Sequence, residues 1–197
     1  MWIDARATIV FDEQGRMTAI DQYWLFDEMF SVYAMQGQAR DKQGNYPPAV
    51  LQSMAQDWIQ ALGVPESHYF TRVTVGGRSL PFGTPRDARV HWDQASSRLA
   101  LSFVLPLAEP LPPGPLQADV DIYDPTFFVA YAFEDETVRI APAQAGCAVA
   151  YRPPRELDWK TMQQLAEIPP DPDPSVLPEE LFAITKSLTH RLEVRCS

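Results

Sequence analysis

Cysteine is scarce in this sequence: its 197 residues contain two, Cys147 and Cys196. The even count, with Cys196 one residue from the end, favours a disulfide that fastens the tail to the body of the chain. Disulfides persist in oxidising compartments, so such a bond would indicate an exported protein. The alternative is two unrelated buried thiols, which are common in cytosolic proteins.

Long apolar runs and an excess of positive charge are also absent. No run approaches the length that crosses a bilayer, so we do not expect the chain itself to span a membrane. Sixteen basic and 26 acidic residues give a net charge of −10. This charge repels phosphate backbones and anionic headgroups, so we expect neither a nucleic-acid partner nor binding to membrane surfaces.

Sequence motifs for catalysis and metal binding are missing as well. The chain has no Gly-x-Ser-x-Gly nucleophile elbow, no His-Glu-x-x-His and no Cys-x-x-Cys. Its three histidines, His68, His91 and His190, do not lie at metal-ligand spacing from one another. We therefore expect that the protein is not an enzyme. A histidine cluster could arise only if the fold brought these residues together.

Short, regularly spaced strands predict one α+β domain over residues 1–197, with a largely antiparallel, β-sandwich-like core. A hairpin is expected first, pairing residues 3–11 with residues 17–26. Gly76-Gly77 predicts a second tight hairpin turn. Further strands are expected at 69–75, 86–92, 99–105, 116–122, 127–133 (in the middle of a sheet), 138–140 and 147–151.

A helical insertion is predicted at about 27–63. Asp27 would cap a short helix that runs to Met35. The longer helix at 47–62 carries an apolar stripe on one face, and Gly63 stands where a C-terminal cap belongs.

A C-terminal helical segment is predicted at about 155–191. It would contain a helix at 159–168, a stiff proline-rich spacer at 169–174 and a last helix with His190 near its C-terminus. A short strand would then carry Cys196 back to the sheet of Cys147.

Acidic side chains are the main candidates for a ligand site. Asp27 and Glu28 could pair their carboxylates around a cation, although an N-cap with an acid in the first helical turn explains them more simply. Asp124 could shape a binding edge with Tyr123, or merely end a strand in a turn. The full candidate set for a metal or ligand site is Asp4, Asp27, Glu28, Tyr123, Asp124 and His190.

The strand that precedes Asp124 adds two more carboxylates. Asp119 and Asp121 lie on one face of this strand and could form an acidic patch with Tyr123. The simpler interpretation is that they form the solvated face of the sheet.

Several segments, in this order, resemble a bacterial family of unknown function that is described as the periplasmic component of an uncharacterised ABC-type transport system. They are Trp2-Ile3-Asp4-Ala5-Arg6 with Phe11-Asp12, Trp24-Leu25-Phe26-Asp27-Glu28-Met29-Phe30-Ser31, Pro106-Leu107-Ala108-Glu109-Pro110-Leu111, Tyr123-Asp124-Pro125-Thr126-Phe127-Phe128-Val129-Ala130, Ala145-Gly146-Cys147 and Val194-Arg195-Cys196.

The resemblance implies export behind a leader peptide, a periplasmic location and an inner-membrane transporter as partner, notably a nickel/cobalt permease. A cofactor, if there is one, would be a divalent transition metal such as zinc or nickel. Relatives often carry His-Pro-His just before the position of Trp2, where Met1 stands in this sequence. We expect that Met1 replaces a removed leader and that a metal site built on those histidines is incomplete here.

Many relatives also carry an EF-hand-like loop that corresponds to residues 39–50. With Gly44 at the sharp-turn position, Ala39 occupies the first ligand position and Val50 the place of the bidentate glutamate. Calcium requires several hard oxygen ligands at these positions. We therefore expect no calcium binding through this loop.

Two functions are compatible with these features of the sequence. The leading hypothesis is a periplasmic accessory or solute-binding protein of a divalent-metal transport system, which binds and hands over its cargo. The alternative is a structural interaction module that scaffolds a membrane permease without binding metal itself.

Overall fold

The computed structural model of the protein describes residues 1–65, 67–124, 128–156, 158–160, 163 and 189–197. In these residues two β-sheets face each other around a shared core. The strands are β1 (Trp2–Phe11), β2 (Met17–Phe26), β3 (Thr71–Val75), β4 (Arg78–Leu80), β5 (Arg86–Asp93), β6 (Arg98–Leu111), β7 (Leu116–Ile122), β8 (Ala130–Ala132), β9 (Val138–Ala141), β10 (Cys147–Arg152) and β11 (His190–Cys196). The helices are α1 (Glu28–Ala34) and α2 (Pro48–Leu62).

The first sheet has the strand order β5-β6-β2-β1-β8, with β9 also paired to β1. The predicted hairpin of β1 and β2 is confirmed, with Ile3 opposite Phe26. Both β8 and β9 run parallel to β1, whereas the other pairings are antiparallel. The strand predicted at 127–133 is wrong in extent and place. Its described part is the three-residue β8 at the margin of the sheet, and residues 125–127 lie outside the described part.

The second sheet has the order β10-β11-β7-β3-β4, and all its described pairings are antiparallel. Gly76 and Gly77 join β3 to β4 at φ values of 56° and 80°. Glycine adopts this left-handed region at no steric cost. The hairpin predicted from this dipeptide is therefore confirmed, with Val75 opposite Arg78.

The core lies between the two sheets, and Trp24 of β2 is at its centre. Its ring stacks on Phe70 at 6.2 Å between ring centroids and meets Phe103 and Tyr131 edge-on at 5.1 and 5.6 Å. Burying a large apolar side chain of this kind contributes roughly 1.5–3 kcal/mol. Alternate residues of β1 face this core as the strand period requires, from Ile3 to Phe11.

A polar chain crosses this apolar core and joins the two sheets. The indole N–H of Trp24 donates to Gln22 Oε1 at 3.0 Å, and Gln22 Nε2 donates to Thr71 Oγ1 on β3 at 2.5 Å. The Thr71 hydroxyl in turn donates to the Tyr69 carbonyl at 2.9 Å. Gln22 is fully buried, and leaving such a group without its partner costs about 1–3 kcal/mol. The sequence analysis missed this residue because it falls within an otherwise apolar strand face.

Both predicted early helices are present. The Asp27 side chain caps α1 by accepting the Phe30 N–H at 2.7 Å, which is the simpler of the two roles considered for this residue. Helix α2 begins with Pro48 and ends with Leu62, Gly63 is its C-cap, and it packs against β5. Both helices lie within residues 27–63.

The predicted C-terminal helical segment is not confirmed. Residues 157, 161–162 and 164–188 lie outside the described residues, and with them most of the two helices and the proline-rich spacer. Where the chain is described again, it is a strand, so His190 begins β11 and does not end a helix. The reason is a two-residue burial period that starts at His190 and continues through Leu192 and Val194.

Strand β11 places Cys196 directly opposite Cys147 of β10, with 4.0 Å between their Cα atoms. The two sulfurs form a disulfide, as the cysteine count predicted. The bond fits a protein that is exported from the cytosol.

Removing this bond is expected to lower the free energy of unfolding by about 3–4 kcal/mol, because it closes a long loop in the unfolded chain. The two cysteines are 49 residues apart. Urea unfolding of the Cys147→Ser/Cys196→Ser variant would measure the loss, with the reduced wild-type chain as a second reference. Under non-reducing conditions the intact mass of the wild type should be two hydrogens below the sequence mass. An unchanged midpoint of unfolding in the variant would contradict the expectation.

Candidate functional site

The predicted ligand residues gather at two separate places. Asp4 and Asp27 meet at Trp2, at the start of the first sheet. Tyr123, Asp124 and His190 lie where β7 ends and β11 begins. Glu28 belongs to neither group, because it lies on α1 at the margin of an exposed groove.

At the first place, the Asp27 carboxylate is engaged by backbone donors. Its Oδ2 accepts the Trp2 N–H and its Oδ1 the Phe30 N–H, each at 2.7 Å. Burial alone would raise the pKa of Asp27, but these donors, the amino terminus and Arg98 outweigh burial and lower it. The carboxylate therefore fixes the start of α1 against β1.

Asp4 has a similar structural role. Its Oδ1 accepts the indole N–H of Trp2 at 3.0 Å, and its Oδ2 lies 2.7 Å from Arg98 Nη1. Arg98 also donates to the carbonyls of Leu25 and Phe26, so it ties β6 to the end of β2. Asp4 and Asp27 thus share Trp2 as a donor, and Asp27 has the simpler of the two roles considered for it, that of an N-cap.

The carboxylate of the 39–50 loop is engaged by its own backbone. Asp41 Oδ1 accepts the N–H groups of Gln43 and Asn45 at 2.9 and 2.8 Å. The Asn45 N–H is the largest cause of the lowered pKa of Asp41. This loop is therefore organised around an aspartate turn.

At the second place, His190 is buried among aromatic rings. Its Nδ1 lies 2.8 Å from the Tyr151 hydroxyl, and its ring stacks on Tyr151 with 6.0 Å between centroids. The Phe133 ring lies 5.3 Å from it. Burial lowers the pKa of His190 from 6.5 to about 4, against the opposing effect of a hydrogen bond with the Tyr131 backbone. The imidazole is therefore neutral at pH 7.

Asp124 and Tyr131 complete this buried cluster. Asp124 Oδ2 accepts the Val129 N–H at 2.8 Å, and the residue is 4% exposed. The Asp124 carboxylate is therefore buried against the backbone at Val129. The Tyr131 hydroxyl is buried with no hydrogen-bond partner among the described residues. Burial, and then the charge of Asp124, raise the pKa of Tyr131 well above its usual value.

Tyr131 was not among the residues predicted from the sequence, although a tyrosine among apolar neighbours at 128–133 was the available signal. No structural role was predicted for Tyr123 either. The Tyr123 N–H donates to the Phe70 carbonyl at 3.0 Å, and burial raises the pKa of its half-buried side chain.

The two carboxylates on β7 that could have formed an acidic patch are paired with arginines of β11. Asp121 pairs with Arg191 through two contacts of 2.7 and 3.0 Å, and Asp119 pairs with Arg195 at 2.9 Å. These pairs bridge neighbouring strands on the outer face of the sheet. Both carboxylates of this strand face are therefore in ion pairs, and the face is not simply solvated, because Asp121 is 8% exposed.

Neither place has the composition of a metal site. Among the described residues, no group of three or more His, Cys, Asp or Glu side chains is arranged to hold an ion. The histidines are dispersed, with His68 in the turn before β3, His91 on the outer face of β5 and His190 on β11.

Burial of the neutral His190 should make stability depend on pH. His190 takes up a proton near pH 6.5 in the unfolded state and near pH 4 in the folded state. The contribution of the neutral imidazole to the free energy of unfolding is therefore complete above pH 6.5 and is lost as the pH falls toward 4. Between about pH 7.5 and about pH 5, wild type should lose about 2 kcal/mol more than His190→Gln. His91→Gln, which changes an exposed histidine, is the matched control. Equal pH dependence of urea unfolding in all three proteins would contradict the expectation.

The membrane and family comparisons complete the description. In the part of the chain that the structure describes, no helix combines the length and the apolar character needed to cross a membrane. The sequence has no match among curated proteins and none among solved structures. The family described as "Protein of unknown function (DUF1007)" matches residues 1–196, and the chain therefore belongs to this family.

Proposed function

We propose that this protein is a periplasmic accessory component of a divalent-metal transport system and that it acts by contact with the membrane permease, without catalysis. Its disulfide supports a place in an oxidising compartment. The resemblance to a periplasmic transport component supports a membrane permease as the partner. The single observation that carries the contact role is the apolar outer face of α1.

The apolar character of this outer face is unexpected, because the contacts of α1 with the core are made by residues on its inner face. Phe30 packs on Phe26 and Trp58, with ring centroids 4.9 and 5.9 Å away. The Ser31 hydroxyl accepts the Leu99 N–H at 2.9 Å and so attaches the helix to β6. Polar residues are expected on the side of a surface helix that faces water.

Three apolar side chains occupy the outer side instead. Met29, Val32 and Tyr33 are 81%, 54% and 73% exposed. Val32 and Tyr33 each lie one helical turn from Met29, so the three side chains form one continuous patch, hereafter the α1 face. Contiguous exposed apolar surface of this kind is typical of protein-contact sites.

The α1 face borders a groove of about 720 Å³ that is also lined by Tyr46. Glu28 is the charged residue among those described around the groove. An apolar segment with a neighbouring basic side chain would complement this arrangement, because it would cover the apolar floor and pair with the carboxylate. We therefore assign the groove to an extracytoplasmic loop of the permease with this chemistry.

Replacing part of the α1 face should separate the protein from its permease. We expect Met29→Gln/Val32→Gln to reduce co-purification of an identified metal permease from detergent-solubilised membranes by about ten-fold, because central apolar contacts dominate such interfaces. Val64→Gln is the matched control, since Val64 is 43% exposed and lies outside the α1 face. Recovery of the permease at the same level with the double variant would refute the contact role, as would its absence with wild type.

Binding and handing over of Zn²⁺ or Ni²⁺ is the second candidate function. One observation favours it: Asp4 and Asp27 both contact Trp2, directly beside the position where relatives carry His-Pro-His. The net charge of −10 also attracts cations. Opposing it, both carboxylates already accept structural hydrogen bonds.

Calorimetry with Zn²⁺ and Ni²⁺ separates the two candidates. The chain with Met1 before Trp2 should bind either ion with a Kd above the micromolar range. A chain with His-Pro-His placed before Trp2 should bind at micromolar concentration or tighter, because two imidazoles would then lie next to two carboxylates. Absence of heat for both ions with the extended chain would remove metal binding as a function of this domain and leave the contact role intact.

A further inference from the structure

A pocket of about 160 Å³ lies between the first sheet, both helices and the turn that precedes β3. Its walls include five aromatic rings, from Trp24, Phe26, Phe30, Trp58 and Phe70. The pocket is separate from the groove beside the α1 face and from the His190 cluster, and the proposed function does not use it.

The chemistry of the walls defines what the pocket can accept. All its described lining residues are apolar. The indole N–H of Trp24 already donates to Gln22, so it is not available to a ligand. A charged or strongly polar guest would lose its hydration without gaining partners, which is costly. An uncharged apolar guest would lose only unfavourable contact with water.

The pocket is held in shape by the polar chain through the core. Gln22 accepts the indole N–H of Trp24 and donates to the Thr71 hydroxyl, so it connects the Trp24 ring to β3. Thr71 donates to the Tyr69 carbonyl, and the Tyr123 N–H donates to the Phe70 carbonyl. These contacts set the turn that delivers Phe70 to the pocket wall.

This turn has a strained backbone. His68, Tyr69 and Phe70 have φ values of 49°, 54° and 49°, a left-handed conformation that non-glycine residues rarely adopt. Three consecutive residues of this kind persist only where the surroundings impose them, and such strain concentrates at ligand sites. The strained turn and the buried hydrogen bonds together position the Phe70 ring in the pocket wall.

We propose that this pocket is a binding site for one small uncharged apolar group, with the size of a single aromatic ring or a short alkyl segment. A dry apolar cavity of about 150 Å³ accepts benzene in a well-studied engineered protein. Offset and edge-on contacts with the surrounding rings would add to the burial of such a guest. Preformed walls would also reduce the entropy that binding must overcome.

Toluene is the probe for the ring-sized ligand. Trp24 and Trp58 line the pocket, so tryptophan emission should change as toluene binds. Toluene at ten times its Kd should raise the Tm of wild type by roughly 2–4 °C. A neutral homologous series, from 1-butanol to 1-decanol, distinguishes a free small molecule from the end of a longer chain. Affinity that stops rising beyond about six carbons indicates a ring-sized guest, whereas a continued rise indicates a chain that leaves through the mouth.

Two alanines of α2 supply the variants. Ala61 lines the pocket, and Ala49 is exposed on the same helix outside it. Ala61→Phe should fill the space and abolish both the Tm shift and the emission change, whereas Ala49→Phe should retain them. Leu62→Ala should enlarge the pocket and improve binding of p-xylene relative to toluene, and this keeps the test decisive if Ala61→Phe fails to fold. No response of wild type to saturating toluene, or an equal response in Ala61→Phe, would overturn the proposal.

Discussion

The hydrogen bond between Gln22 and Thr71 is the contact on which much of the remaining structure depends. It is a polar link between the two sheets, whose facing side chains are mostly apolar, and both of its residues are buried in the core. An apolar core tolerates several packings of similar energy, but an amide in this position is satisfied in one of them. Through Trp24 on one side and the Tyr69 carbonyl on the other, the same contact sets both the central ring and the strained turn.

Many carboxylates of this protein make structural contacts within the domain, which its net charge alone does not indicate. The net charge is −10, yet the carboxylates with the clearest partners are engaged inside the domain. Asp4 meets Arg98 and Asp121 meets Arg191, while Asp27 and Asp41 serve backbone N–H groups. These contacts hold strand ends, caps and turns. They leave α1, with its apolar outer side, as the surface whose composition the fold itself does not explain.

Local signals in the sequence were sufficient for much of the fold. The first hairpin, the Gly76-Gly77 turn and the limits of α2 each follow from neighbouring residues, and Cys147 had one available partner. The parallel pairing of β8 and β9 with β1 joins residues more than 100 positions apart and has no local signature. His190 was placed in a helix because its burial depends on Tyr151 and Phe133, which only the folded sheet brings to it. Among the candidate acids, Asp4 contacts Arg98, which is 94 positions away, so this ion pair has no local signature in the sequence.

The position of β11 has a consequence for how the chain acquires its structure. This strand, formed by residues 190–196, lies between β10 and β7 within the second sheet, so neither neighbour is fully paired before it arrives. The second sheet therefore closes only when residues 190–196 have inserted between β10 and β7. Insertion of this strand also brings Cys196 opposite Cys147, so completion of the sheet and formation of the sulfur bridge are coupled.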